Sequence, residues 1–332
     1  MRELTLAAFA AATGSHLVGE PRSARYAAFR DGFDERAERE RLRTGGLRFV
    51  GRSEPGFPPL LAAVHDPPPG LYLRGGAEAG LLSRPAAAVV GARACSPYGR
   101  HVARLLGREL AAAGLVVVSG MARGVDGEAH RGALEAGGPT VAVLGCGVDR
   151  DYPAAHAELA RRIVEGGGLV VAEYAPGVEP APWRFPARNR IIAGLCAATV
   201  VVEARERSGA LITADLALEE GREVFAVPGE IVSALSAGSN ALLRLGATPA
   251  TCVADVLEPF GLVPHAADRA PLTPAAERAL AAVQAAAAGA DELARATGLE
   301  ARELAAALVE LELAGLASSE DGVYRWRDSI GG

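Results

Sequence analysis

Short apolar runs recur through the middle of the chain, and each is bounded by Gly, Ser or Pro. Most of these runs are followed by a polar-apolar segment of helical length. Continuous β-branched runs that alternate with helices are typical of parallel strands buried on both faces. The pattern predicts six strands, at residues 87–90, 115–118, 140–144, 169–172, 199–202 and 224–227. We therefore expect an α/β fold, an extended Rossmann-like doubly wound parallel sheet over residues 85–258.

The segment before this sheet, residues 1–84, has a different pattern. The charged stretch 34–43 predicts a helix, and the apolar residues 47–50 predict a short strand. Prolines are dense between residues 55 and 75, which favours an extended, ordered connection over a helix. We expect a short N-terminal helical segment followed by a proline-rich lead-in.

The segment after the sheet predicts a second domain. Residues 259–271 have the composition of a linker, and helices are expected from Pro274, from Asp291 and through 301–315. The third helix has an apolar face made of Leu304, Leu308, Leu311 and Leu313. A β-like stretch at 316–326, with a turn at Asp321 and Gly322, closes the pattern. Three helices and a hairpin predict a winged-helix domain over residues 272–330.

Composition narrows the class of protein. Half of the 332 residues are hydrophobic, but no apolar run approaches the roughly 18 residues of a spanning helix. The N-terminal apolar run follows Glu3 and lacks a convincing cleavage region, so we expect a cytoplasmic protein that does not enter a membrane. The four cysteines, Cys95, Cys146, Cys196 and Cys252, have neither metal-ligand nor disulfide-framework spacing.

The net charge of the chain is compatible with an anion-binding site only where basic residues are locally concentrated. The formal net charge of −6 argues against a generally basic nucleic-acid binder. All 34 basic residues are arginines, so any anion must be bound by guanidinium groups. The absence of lysine from the sequence also excludes P-loop and Schiff-base lysine chemistry.

Arginines cluster where the predicted strands end. Ligands of an open parallel sheet bind beyond the carboxyl ends of its strands. Arginines follow strands one, two and five there, and residues 181–190 contain three arginines, two aromatic residues and no acid. Guanidinium groups beside exposed rings suit single-stranded nucleic acid, with Phe185 and Trp183 as candidate stacking rings. The alternative is that these arginines are solvated or paired with nearby glutamates.

Other features of the strand ends leave further alternatives open. The helix starts at Ser96 and Ser208 offer N–H groups either to phosphates or to ordinary caps. Asp126 and His130 have the spacing of a general acid/base pair, which more often fixes a helix start. Cys146 follows a glycine turn but has no evident base, and the third glycine of a dinucleotide fingerprint is absent after Gly147. We expect no cofactor and no metal.

The same motifs resemble those of the DprA/Smf family of DNA-processing proteins. The resemblance runs in order over roughly residues 55–255. It rests on FPPLLAAVHDPPPGLYLRG, VGAR, SGMARGVDGEAHRGAL, AVLGCGVDRDYP, FPARNRIIAGL, VVEARERSGALITADLALEEGREVFAVPG and GSNALLRLGA. The resemblance implies a non-enzymatic protein of natural transformation and competence. Such a protein protects incoming single-stranded DNA, forms a homodimer and loads the RecA recombinase.

The resemblance also implies a set of DNA-facing residues. The positions carried over from the family are Arg93, Arg123, Phe185, Arg188, Asn189, Arg190, Ser208, Gly209 and Thr213. Three further strand-end residues, Gly91, Ser119 and Gly120, complete the predicted DNA-binding set.

Two departures and one competing hypothesis qualify this interpretation. The family usually has serine where Ala92 stands, and its N-terminal helical domain is short here. Residues 271–332 contain 10 acids and 5 arginines, which favours a protein-contact or structural role for this segment over DNA binding.

The competing hypothesis is a nucleotide-binding or nucleotide-hydrolysing enzyme related to the LOG-type phosphoribohydrolases. Those enzymes carry a Pro-Gly-Gly-x-Gly-Thr loop, where this chain has Ser-Gly-Ala-Leu-Ile-Thr at 208–213.

Overall fold

The chain divides into two compact units, residues 1–265 and 266–332. The computed structural model describes residues 2–15, 20–264, 272–286, 288–313, 316–320 and 322–326. The predicted linker, 259–271, lies partly outside these ranges. Of its described part, Phe260 ends a short 3-10 turn, and Phe260 and Leu262 pack against the core of the first unit.

A nine-stranded sheet forms the first unit, which confirms the predicted α/β class. Strands β3 to β8 are parallel and match the six predicted runs to within one residue at either end. The order across the sheet is β1-β2-β6-β5-β4-β3-β7-β8-β9. The strands are β1 (Leu47–Gly51), β2 (Gly70–Arg74), β3 (Ala86–Val90), β4 (Val116–Ser119), β5 (Thr140–Val143), β6 (Leu169–Ala172), β7 (Ala198–Val201), β8 (Glu223–Ala226) and β9 (Thr248–Pro249).

The lead-in belongs to this sheet, which corrects the prediction of an extended connection. It contains a short helix, Pro59–Ala62, and all of β2. β2 pairs antiparallel with β1 on one side and with β6 on the other, where Tyr72 faces Ala172. Prolines 67–69 precede β2 without entering it, so β2 keeps its N–H groups for both neighbours.

Helices cover both faces of the sheet. One core lies under the helices Pro97–Ala112 and Val125–Glu135, and another lies under the helices Arg184–Leu195 and Gly209–Glu219. The helices of the first unit are α1 (Glu3–Thr13), α2 (Ala24–Gly32), α3 (Glu35–Thr44), α4 (Pro59–Ala62), α5 (Pro97–Ala112), α6 (Val125–Glu135), α7 (Ala157–Glu165), α8 (Arg184–Leu195), α9 (Gly209–Glu219), α10 (Ala237–Arg244) and α11 (Val253–Leu257).

The N-terminal apolar run forms α1, which packs on the sheet. Leu4 and Ala7 join Leu42 and Phe49 in a third core cluster. In the described part of the chain, no helix combines the length and the apolar character needed to cross a bilayer.

The second unit has the predicted winged-helix elements. It contains α12 (Pro274–Ala285), β10 (Ala288–Gly289), α13 (Ala290–Thr297), α14 (Ala301–Leu313), β11 (Ala317–Glu320) and β12 (Val323–Trp326). Leu304, Leu308 and Leu311 are buried on α14 as expected. Asp321 of the predicted turn and the Leu313 side chain lie outside the described residues, whereas Gly322 has the left-handed φ of 77°.

Candidate nucleic-acid interface

A crevice lies at the carboxyl ends of β3, β4, β5 and β7. It consists of two adjoining cavities of about 200 and about 330 Å³, which share Arg93, Ala122, Phe185 and Arg188 in their walls. The starts of α8 and α9 form one side, because the strand order reverses between β3 and β7. The crevice therefore occupies the position where open α/β sheets bind ligands.

The rim of the crevice carries exposed arginines and a stacked pair of rings. Phe185, the second residue of α8, stacks on Tyr152 with ring centroids 5.3 Å apart. The Arg93 guanidinium lies 5.4 Å from the Phe185 ring centroid. Arg93 and Arg123 are exposed, and neither forms an ion pair with a carboxylate of the described residues. This rim offers two cations without ion-pair partners beside an aromatic surface.

Arg188 forms the floor of the crevice. It is 4% exposed, and its guanidinium donates hydrogen bonds to the carbonyl oxygens of Gly120, at 2.8 Å, and Val143. It thus connects the ends of β4 and β5. Burial lowers the pKa of Arg188 to about 10, so the group remains positive at neutral pH.

Asp126 and Gly120 complete this floor. The Asp126 carboxylate accepts hydrogen bonds from the N–H groups of Gly120 and Ala122, at 3.1 and 3.2 Å. Burial raises the pKa of Asp126, and the Arg188 charge opposes that rise. A Cβ atom on Gly120 would lie 2.6 Å from Arg188 Nη2 and 2.8 Å from Asp126 Oδ2. A glycine here therefore leaves room for both charged side chains beside the backbone.

Arg190 and Asn189 are engaged inside the protein. Arg190 donates to Asp66 Oδ2 at 2.9 Å and to Glu173 Oε1 at 2.6 Å. Asn189 donates to the carbonyl oxygen of Gly209 at 3.1 Å, which connects α8 to the start of α9. Asn189 therefore lies in the crevice wall and Arg190 lies behind it. Both side chains are hydrogen-bonded to other residues of the protein.

Of the remaining predicted residues, two are buried and three line the smaller cavity. Ser119 is fully buried, and its hydroxyl donates to the carbonyl oxygen of Val89 at 2.7 Å. Thr213 is buried, with its hydroxyl 3.5 Å from the Gly209 carbonyl oxygen. Ser208, Gly209 and Gly91 line the smaller cavity, and the Ser208 hydroxyl accepts from Ala210 N as an N-cap of α9. Direct DNA contact stays a prediction for all twelve residues.

A glutamate side chain of the protein lies at the N-terminus of α5. Glu203, which follows β7, accepts hydrogen bonds from Ser96 N at 2.9 Å and from Ser96 Oγ at 2.5 Å. The Ser96 hydroxyl in turn accepts from Gly99 N. This carboxylate lies at the start of α5, the position where the helix dipole favours an anion.

The groups considered for catalysis are buried and separated. His130 Nδ1 lies 2.7 Å from Thr140 Oγ1, and burial lowers the pKa of His130 to about 3. The Asp126 carboxylate accepts from the backbone N–H groups of Gly120 and Ala122, and no hydrogen bond joins it to His130. Burial raises the pKa of the Cys146 thiol to about 11. Among the residues that the structure describes, no three His, Cys, Asp or Glu side chains form a potential metal site.

Two tyrosines near the crevice were missed from the sequence. Tyr152 follows β5 inside the motif AVLGCGVDRDYP, and Tyr174 follows β6. For Tyr174, its position two residues after the end of β6 was the available signal, whereas Tyr152 lies nine residues after the end of β5 and only the fold brings it to Phe185. A Cβ atom on Gly145 would lie 2.9 Å from the Phe185 ring, so this glycine leaves room for the ring.

Comparison with known proteins defines the class to which this fold and crevice belong. Residues 48–261 match the family model of DNA recombination-mediator protein A, and residues 263–322 match that of the DprA winged helix domain. The class is therefore that of the DNA-processing proteins. The chain belongs to the DprA/Smf family, which confirms the resemblance found in its motifs.

Individual relatives and solved structures agree with this membership. The Escherichia coli Protein Smf is 41% identical over 81% of this chain and 74% of its own length. The DNA processing protein DprA of Streptococcus pneumoniae is 46% identical over 61% of this chain and 71% of its own. The X-ray structure of DprA from S. pneumoniae aligns at a TM-score of 0.65 and 37% identity, over 77% of this chain and 92% of that one. A Helicobacter pylori DprA structure, described as showing a single-stranded DNA binding mode, aligns at a TM-score of 0.58 and 30% identity, over 64% and 95%.

Proposed function

We propose that the crevice binds single-stranded DNA and that this protein is a recombination mediator in DNA uptake. The observation that carries the proposal is the rim: Arg93 and Arg123 are exposed without carboxylate partners, beside the stacked rings of Phe185 and Tyr152. Phosphates are neutralised by the two guanidinium groups, and bases stack on the rings. Each stacked base contributes about 1–3 kcal/mol with little sequence preference.

The twelve predicted residues then act in two ways. Arg93, Arg123 and Phe185 contact the strand, together with Ser208, Gly209 and Gly91 along the smaller cavity. Arg188, Asn189, Arg190, Ser119, Gly120 and Thr213 are positioning residues. Their side chains or close packing hold the strand ends and α8 in place, and Arg188 adds a fixed positive charge beneath the crevice.

The wider role follows from family membership. We include in the proposal the loading of RecA onto single-stranded DNA, protection of incoming strands, and a homodimer that acts in the cytoplasm. The family description of a DNA recombination mediator supports this role. Binding without catalysis is part of the same proposal, because Glu203 is engaged by Ser96 and Cys146 is a buried thiol of raised pKa.

The rim is tested by removing its charges one at a time. Arg93→Gln and Arg123→Gln are each compared with Arg36→Gln, which removes an exposed arginine from α3, outside the crevice walls. We expect weaker binding of a labelled thymidine oligonucleotide by each rim variant, and a salt slope reduced by about 0.7 for each lost phosphate contact. Parent-like affinity and slope in both rim variants, with Arg36→Gln unchanged, would contradict the rim assignment.

A further inference from the structure

A second cluster of aromatic rings and guanidinium lies beside the crevice. Trp183 immediately precedes α8 and is 51% exposed. Its ring meets Tyr174 edge-on, with centroids 6.4 Å apart at 86°. The Arg184 guanidinium lies 4.9 Å from the Trp183 centroid and 5.2 Å from that of Tyr174. The large exposed ring is therefore held in place by neighbours rather than projecting freely.

Arg184 keeps an uncompensated charge in this cluster. Its Nη1 donates to the carbonyl oxygen of Glu179, and it forms no ion pair with the described carboxylates. The acids nearby pair with other arginines: Glu179 with Arg150 at 2.6 Å, and Glu173 through its Oε1 with Arg190 at 2.6 Å. A cation fixed beside aromatic faces is suited to a phosphate that accompanies a stacked base.

Polar atoms of the cluster also lack partners. Tyr174 Oη, Arg184 Nε and Glu173 Oε2 are buried without a hydrogen-bond partner among the described residues. All three side chains line a small cavity of about 30 Å³ next to Trp183. The wall of this cavity therefore presents hydrogen-bonding atoms of the cluster beside the exposed Trp183 ring.

The cluster continues the crevice along α8. Trp183 and Phe185 are two positions apart, and successive helical positions turn by about 100°, so their rings are directed to different sides. Phe185 joins Tyr152 and Arg93, whereas Trp183 joins Tyr174 and Arg184. Two clusters of the same composition, two rings and one guanidinium, thus lie at the start of α8, one on each side.

We propose that Trp183, Arg184 and Tyr174 form a second platform for an unpaired nucleotide of the strand that occupies the crevice. The proposal rests on the proposed function and extends it by a binding subsite. A base stacks on the exposed face of Trp183, and its phosphate is met by Arg184.

Tryptophan emission provides a direct test, because the chain contains only two tryptophans. The full-length Trp326→Phe variant leaves Trp183 as the sole tryptophan. We expect its emission to be quenched on titration with unlabelled thymidine oligonucleotides, in step with binding measured by anisotropy of a labelled one. If the parent chain binds but Trp183 emission stays unchanged at saturation, the platform is wrong and the proposed function stands. If the parent chain does not bind, both fail.

Affinity against oligonucleotide length gives a second readout. Trp183→Ala should raise Kd about 5- to 150-fold for long thymidine oligonucleotides, the loss of one stacked base, and less for oligonucleotides too short to leave the crevice. Trp183→Phe should retain most of the affinity because it keeps a ring. Leu218→Ala, which removes a side chain of similar exposure (53%) from α9, is the matched control. An equal Kd for Trp183→Ala and the parent at every length would overturn the proposal.

Discussion

Two arginines of the crevice carry the same charge in opposite surroundings. Arg93 is exposed over the Phe185 ring, whereas Arg188 is buried and donates to the carbonyl oxygens of Gly120 and Val143. The first is free to meet a phosphate, and the second holds two strand ends together. Charge alone could not separate these roles in the sequence, because the difference depends on how the loop after β3 directs Arg93 and how α8 directs Arg188.

Arg188→Met should therefore act mainly on stability. The change removes hydrogen bonds to two carbonyl groups and leaves the buried Asp126 without its nearby cation. We expect the free energy of unfolding of the 1–265 unit to fall by about 3 kcal/mol or more. Urea denaturation followed by circular dichroism measures this, with Arg93→Gln as the variant that keeps parent stability. A variant as stable as the parent would show that Arg188 is not a positioning residue.

At the scale of elements, local pattern predicted the six buried parallel strands and the edge strand β1, but not β2, which lies between β1 and β6. Strands β3 to β8 are short, mainly apolar runs, which are visible in sequence because both faces of these strands are buried apart from Glu223 at the start of β8. β2 follows three prolines, and its pairing with β1 and β6 depends on residues distant in the chain. Tyr152 was missed for the same reason, since only the fold brings it against Phe185.

Helix α5 provides a prediction about an element end. Glu203 accepts from both the N–H and the hydroxyl of Ser96, so Glu203→Gln removes a charge-assisted cap at the positive end of the helix. We expect the free energy of unfolding to fall by about 1 kcal/mol while affinity for single-stranded DNA is kept. The same variant distinguishes the enzymatic alternative: release of free base from nucleoside monophosphates by the parent, lost in Glu203→Gln, would favour a hydrolase.

At the scale of the whole molecule, charge is unevenly distributed between the two units. Residues 271–332 carry a net charge of −5, from 10 acids and 5 arginines, out of −6 for the chain. On α14, Glu310 accepts hydrogen bonds from Thr273 N and Oγ1, and Glu303 lies 3.6 Å from Arg278, so these acids help to hold α12. An acidic third helix opposes phosphate binding.

A chain that ends at residue 264 should therefore bind single-stranded DNA as tightly as the full chain. The acidic unit contributes no cation that the proposal requires, and its removal reduces the overall negative charge. Anisotropy with the same thymidine oligonucleotide measures the effect, after thermal unfolding has shown that the shortened chain is folded. A loss of about tenfold or more would mean that the winged-helix unit takes part in binding.

The central claim is that the arginine-lined crevice binds single strands, and one measurement tests it most directly. Fluorescence anisotropy of a labelled thymidine oligonucleotide is compared with that of its duplex counterpart across a salt series. We predict tighter binding of the single strand, with log K falling linearly with log salt at about −0.7 for each phosphate contacted. Absence of single-strand binding at low salt, or preference for the duplex, would contradict the account.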